Sequence, residues 1–98
     1  MLTSKQRAQL RALANTEPVI LHIGKSGINE ALVTQCRDAL KAREMVKGTV
    51  LENSPITARE AIGELSELCK AEQVQVIGRR FVLYKRNDEK PVIVLTSR

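Results

Sequence analysis

Between Val19 and Leu51 the chain reads strand, glycine break, helix, strand, and this order leaves few folds open. Val19-Ile20-Leu21-His22-Ile23 hardly alternates, so it reads as a strand buried on both faces. Gly24-Lys25-Ser26-Gly27 breaks it. Beyond the break, Leu32, Val33, Cys36, Ala39 and Leu40 recur at intervals of three and four, which predicts a helix with one apolar face running to about Arg43. Val46–Leu51 is a second strand. A strand, a helix and a strand in succession force a parallel pair.

The flanking segments complete the pattern. Thr3-x-x-Gln6 is a capping box, so a helix opens at Thr3 and runs to about Ala14. Leu10, Leu13 and Ala14 form its narrow apolar stripe, and Lys5, Arg7 and Arg11 its basic side. Glu17-Pro18 closes the connector behind it, because a residue before proline leaves the helical region. After the second strand, Ser54-Pro55 and Thr57-x-x-Glu60 compete as starts of a third helix. Its stripe is Ala58, Ala61, Ile62, Leu65, Leu68 and Cys69; Glu60, Glu64 and Glu67 form a solvated side. Val74–Ile77 and Arg80–Arg86 are strands joined by Gly78-Arg79 alone, a two-residue hairpin signal. The order is αβαβαββ. This is an α/β chain, α+β in layering, with two to three layers and a mixed sheet. Phe81 and Leu83 face one side of the last strand, Val82 and Tyr84 the other. Two helices therefore cover one face, and the first helix part of the other. Residues 1–98 read as one domain. Within it, 87–98 is a tail, or Val92–Leu95 adds a short edge strand.

Charge narrows the function. The net charge is +5 and the sequence pI near 9.6. Residues 1–49 carry +4, residues 50–78 carry −3 and residues 79–98 carry +4. Two basic blocks around an acidic one suggest that one side of the fold meets an anion. Met1–Leu10 has no apolar core of a secretory signal, and no apolar run approaches membrane-spanning length. The expected compartment is the cytoplasm. Cys36 and Cys69 are too few for a disulfide scaffold or a zinc site, and both lie on apolar stripes as core thiols. His22, inside the first strand, reads as a core histidine. No nucleophile has a base beside it, so the expectation is no enzyme, no metal, no cofactor and no small-molecule substrate.

Gly24-Lys25-Ser26-Gly27 is the sharpest local feature. It is not a Walker loop, because Val19 stands where the first glycine belongs. It is not a dinucleotide fingerprint either, because Glu30 stands where the third glycine belongs. Two readings remain: a plain strand-to-helix turn, or a G-x-x-G loop that clamps a nucleic-acid backbone with Lys25 as a point charge and the next helix N-terminus behind it. Arg79-Arg80 and Lys85-Arg86 flank the last strand. They either protect an edge by charge or join Lys25, Arg7 and Arg11 in one basic surface. Phe81 and Tyr84 are the only aromatics and face opposite sides, so the sheet offers no base-stacking platform. RNA binding would then read backbone and shape.

Three blocks now stand out together. The first helix ending in Leu13-Ala14 and continuing to Pro18-Val-Ile-Leu-His-Ile-Gly-Lys-Ser-Gly27 resembles the CRM domain (chloroplast RNA splicing and ribosome maturation). Arg43-Glu44-Met45-Val46-Lys47 resembles the family's Glu-Leu-Ile-Lys segment, and Val74 through Lys85 is similar to its closing hairpin. The free-standing form looks like the bacterial YhbY type. The resemblance implies a four-stranded mixed sheet with three helices, similar to the C-terminal domain of translation initiation factor three. It further implies contact with structured ribosomal RNA through Gly24, Lys25, Ser26 and Gly27, and a role in assembling the large ribosomal subunit. The competing function is a protein-interaction module that docks on a ribosomal protein. Gly48 departs from the family's apolar residue, which predicts a loose or bulged strand there.

Overall fold

A computed structural model describes residues 2–96. The elements are α1 (Ser4–Ala14), β1 (Leu21–Ile23), α2 (Glu30–Arg43), β2 (Met45–Val50), α3 (Ala58–Leu68), β3 (Glu72–Ile77) and β4 (Arg80–Tyr84). The sheet order is β1-β2-β4-β3, with β1 and β2 parallel and the other pairs antiparallel. The expected αβαβαββ order and mixed four-stranded sheet are both present.

Each helix starts where a side chain can satisfy its first N–H groups. Thr3 and Thr57 form complete capping boxes with Gln6 and Glu60, so Thr57, and not Ser54-Pro55, opens α3. Asn29 Oδ1 accepts from Leu32 N at 2.9 Å and opens α2. Gly78 at φ 58 is the first residue of the two-residue hairpin loop, and glycine meets that left-handed requirement without steric cost.

β4 lies between β2 and β3 and supplies both cores. Phe81 and Leu83 join Leu21, Ile23, Val46 and the stripes of α2 and α3; Val82 and Tyr84 join Leu10 and Ala14 of α1. Phe81 and Tyr84 are both buried. A bulge between Gln73 and Gln75 makes Val74 the extra residue of β3. A bulge exchanges the faces of the residues beyond it, so Val74 packs with α1 while Val76 packs on the opposite core. Cys36 and Cys69 are free and buried together. Burial, with Cys69 beside it, pushes the Cys36 thiol up to about 12.

Several expectations need correction. Gly48 is neither loose nor bulged; it pairs regularly with Leu21 and Phe81. A Cβ on Gly48 would land inside the Phe81 ring, so glycine there makes room for the aromatic. Leu13 and Leu68, in the last turns of α1 and α3, are exposed at 39% and 47%, although the sequence places both on apolar stripes. The first strand is only three residues long, and His22 within it is exposed.

Val92–Leu95 forms no strand. The segment after β4 is a strap laid along α1, where Gln9 donates to Val94 O (2.6 Å) and accepts from Thr96 N (2.7 Å). Ile93 and Leu95 pack on the α1 core. The strap is pinned by Glu44, whose carboxylate is fully buried and accepts from Asn87 N, Val92 N and Ile93 N, each at 2.6 Å. Glu44 caps α2 in the left-handed region at φ 64. Burial alone would raise its pKa. The three N–H groups, with Arg86 nearby, outweigh burial and hold it below the usual carboxylate range.

Candidate nucleic-acid interface

The break after β1 is a tight turn. Gly27 N donates to Gly24 O at 3.0 Å, which leaves Lys25 and Ser26 exposed at its tip. Gly27 sits at φ +63 with Pro55 Cγ 3.4 Å from a would-be Cβ, so both backbone and space favour glycine. Gly24 differs: its nearest neighbours, Asn53 and Leu51, stand 3.6 Å from a Cβ, ordinary contact. The fold therefore needs only the second glycine of the pair.

The hairpin shares this end of the sheet. Ile23 pairs with Val50, Leu51 N donates to Ile23 O, and Val50 N donates to Arg79 O, both at 2.8 Å. Two strand spacings of about 4.8 Å set the Gly24 turn roughly 10 Å from Arg79. Arg80 pairs with Thr49 and Ile77 on the same rim. Arg79 reaches Glu52 at 3.8 Å, an exposed ion pair that leaves its guanidinium largely free. Ile77 and Leu51 stand exposed beside these cations.

Other candidates lie elsewhere. Arg7 is on the α1 face, its Nε 3.4 Å from Gln73 O on the far edge strand. Arg11 follows one turn later on the same helix. Lys85 and Arg86 leave the opposite end of β4, where Lys85 N donates to Glu44 O at 2.8 Å. Five residues of strand put Lys85 about 17 Å from Arg80. The single basic surface expected from sequence is thus divided. Gly24, Lys25, Ser26, Gly27, Arg79 and Arg80 share one end; Arg7 and Arg11 occupy a face; Lys85 and Arg86 hold the other end.

The α2 N-terminus is also less open to an anion than its position suggests. Asn29 occupies the Leu32 N–H, and Glu30 brings a carboxylate into the first turn. Sequence reasoning missed His22. It faces a hollow of about 320 Å³ together with Lys25, Asn29 and Gln35. The alternation Leu21-His22-Ile23 is the signal: it is buried, exposed, buried.

A mixed sheet with helices on both faces, a glycine-cornered lysine turn and an arginine hairpin on one rim, and both aromatics buried define a small α/β domain with a basic, aromatic-free rim. The chain belongs to the CRS1/YhbY (CRM) domain family, whose model matches residues 2–85. It is 37% identical over 95 residues to the "Probable RNA-binding protein YqeI" of Bacillus subtilis, covering 97% of this chain and 99% of that one. It is 30% identical over 91 residues to an "RNA-binding protein" of Haemophilus influenzae, covering 93% and 92%. Among solved structures, SAV1595 from Staphylococcus aureus superposes with a TM-score of 0.80 at 43% identity, covering 98% of this chain and 100% of that one. Among the described residues no helix is long and apolar enough to cross a membrane.

Proposed function

We propose that this protein binds structured ribosomal RNA through the Gly24–Gly27 turn and the Arg79-Arg80 hairpin, and assists assembly of the large ribosomal subunit. The observation that carries the reading is the register that sets an exposed lysine turn and two arginines on one rim. Both aromatics are buried, so recognition goes through phosphate and shape. Lys25 acts as a flexible point charge on phosphate, and the hydrogen-only side chain of Gly24 lets the RNA backbone come close. Two curated relatives carry RNA-binding names, which supports the partner class. The ribosomal step rests on the family resemblance.

Crosslinking in cells followed by identification of the attached RNA tests this. Large-subunit ribosomal RNA or its precursor is the expected product. A crosslinked ribosomal protein with no RNA would replace the reading with protein docking.

A further inference from the structure

A second hollow, of about 510 Å³, opens at the opposite end of the sheet, where α2 and α3 both terminate and β4 passes into the strap. Arg37, Lys41, Lys70, Lys85 and Arg86 line it, against two acids, Asp88 and Glu89. Helix C-terminal carbonyls would ordinarily neutralise such cations. Two of these carbonyls are engaged: Arg37 donates to Leu68 O at 3.0 Å, which offsets that guanidinium alone, and Asn87 donates to Lys41 O at 2.9 Å in place of a cation. Lys41, Lys70 and Lys85 form no ion pair among the described residues.

Lys70 adds an independent sign. Ala71 N donates to Ser66 O at 2.9 Å and Lys70 N to Glu67 O at 3.4 Å, a Schellman closure of α3. Lys70 holds the left-handed position at φ 53, where glycine bears no steric cost. A charged side chain held there against backbone preference points to use of the charge.

We propose that this cleft is a second RNA-backbone site, so that one structured RNA is gripped at both ends of α2. The inference rests on the RNA-binding reading above. α2 has 14 residues, so the two sites stand about 20 Å apart at 1.5 Å per residue. A protein partner fits the cleft poorly. Interface centres are apolar, rich in aromatics and depleted of charge, whereas Leu68 is the one exposed large apolar side chain lining this hollow among the described residues.

The test is a titration of a structured large-subunit ribosomal RNA fragment at several salt concentrations. It compares the wild-type chain, Lys25→Ala, Lys70→Gly, and Lys41→Ala combined with Lys85→Ala. The salt slope is expected to fall by about 0.7–0.9 for Lys70→Gly and about 1.4–1.8 for the double variant. Thermal melting should show Lys70→Gly as stable as wild type or more so, which separates lost binding from lost fold. If both cleft variants keep the wild-type slope while Lys25→Ala loses contact, the cleft does not hold RNA and an acidic protein becomes its candidate occupant. If the wild-type chain binds no RNA at all, the function proposed above falls and this inference falls with it.

Discussion

Replacing Glu44 by glutamine changes one atom and should unfasten the strap. The left-handed backbone at φ 64 stays the same in both chains, so its strain cancels. Glu44 Oε1 serves Val92 N and Ile93 N, and Oε2 serves Asn87 N. Glutamine keeps one oxygen. Its amide NH₂ must face at least one N–H that has no other acceptor. A hydrogen bond to a charged group contributes about 1.5–3 kcal/mol, a neutral one about 0.5–1.5, and a stranded buried donor costs about 1–3 kcal/mol. The strap can swing into water and a neutral amide is cheaper to bury, so the net loss should be about 2–4 kcal/mol. For a domain of this size that lowers Tm by about 10–25 °C. Because the folded pKa of Glu44 is depressed, its contribution is complete above the unfolded carboxylate value of about 4.3 and disappears as pH falls through the folded value. The gap between the two chains should therefore be full near neutrality and shrink in acid. Melting curves across pH, with hydrogen exchange at Asn87, Val92 and Ile93, read both effects. A variant within about 0.5 kcal/mol of wild type, with those amides equally protected, would refute the clamp.

Four further outcomes are expected. Lys25→Ala should lower the RNA salt slope by about 0.7–0.9 with no change in melting, while Lys5→Ala on the exposed side of α1 leaves the slope intact. Gly27→Ala should destabilise the fold by about 1–2 kcal/mol through its left-handed backbone; Gly24→Ala should melt normally yet bind RNA less tightly, and equal melting losses in both would contradict the turn geometry. Gly48→Ala should cost about 1–3 kcal/mol or more by colliding with Phe81, and a neutral denaturation midpoint would mean that the ring lies elsewhere. Cys36 and Cys69 should resist a thiol reagent in the native protein and react at once in denaturant, since burial holds the Cys36 thiol protonated up to about 12.

Periodic features carried most of the architecture in plain sight. The stripe of α3, the capping box at Thr3, the alternation of Phe81 and Leu83 against Val82 and Tyr84, and the Gly78-Arg79 loop all depend on neighbours a few residues away. What escaped depends on residues far apart. The apolar run Val19–Ile23 makes His22 read as a core residue, but it lies exposed between the buried Leu21 and Ile23. Gly48 looked like a weakness, since nothing nearby shows that Phe81 will lie across it. The role of Glu44 needs donors more than forty residues downstream. The basic residues stand out in the sequence one by one. Which of them share a rim follows from strand order, and the interposition of β4 between β2 and β3 cannot be read from spacing.

That interposition also sets a clock. Of the four strands described, β4 is the last to be synthesised, yet it occupies an inner place in the sheet and furnishes aromatic or aliphatic groups to both cores. While a ribosome is still translating α3, β2 has no antiparallel neighbour, and α1 and α3 lack the β3–β4 hairpin they pack on. At about 5–20 residues per second, the nascent chain spends several seconds with its apolar stripes uncovered. Folding must then finish in one late step, when Arg80–Tyr84 leaves the exit tunnel and closes the sheet from the middle. Premature termination before Tyr84 leaves both cores without their β4 side chains and should yield a chain for chaperones or proteases.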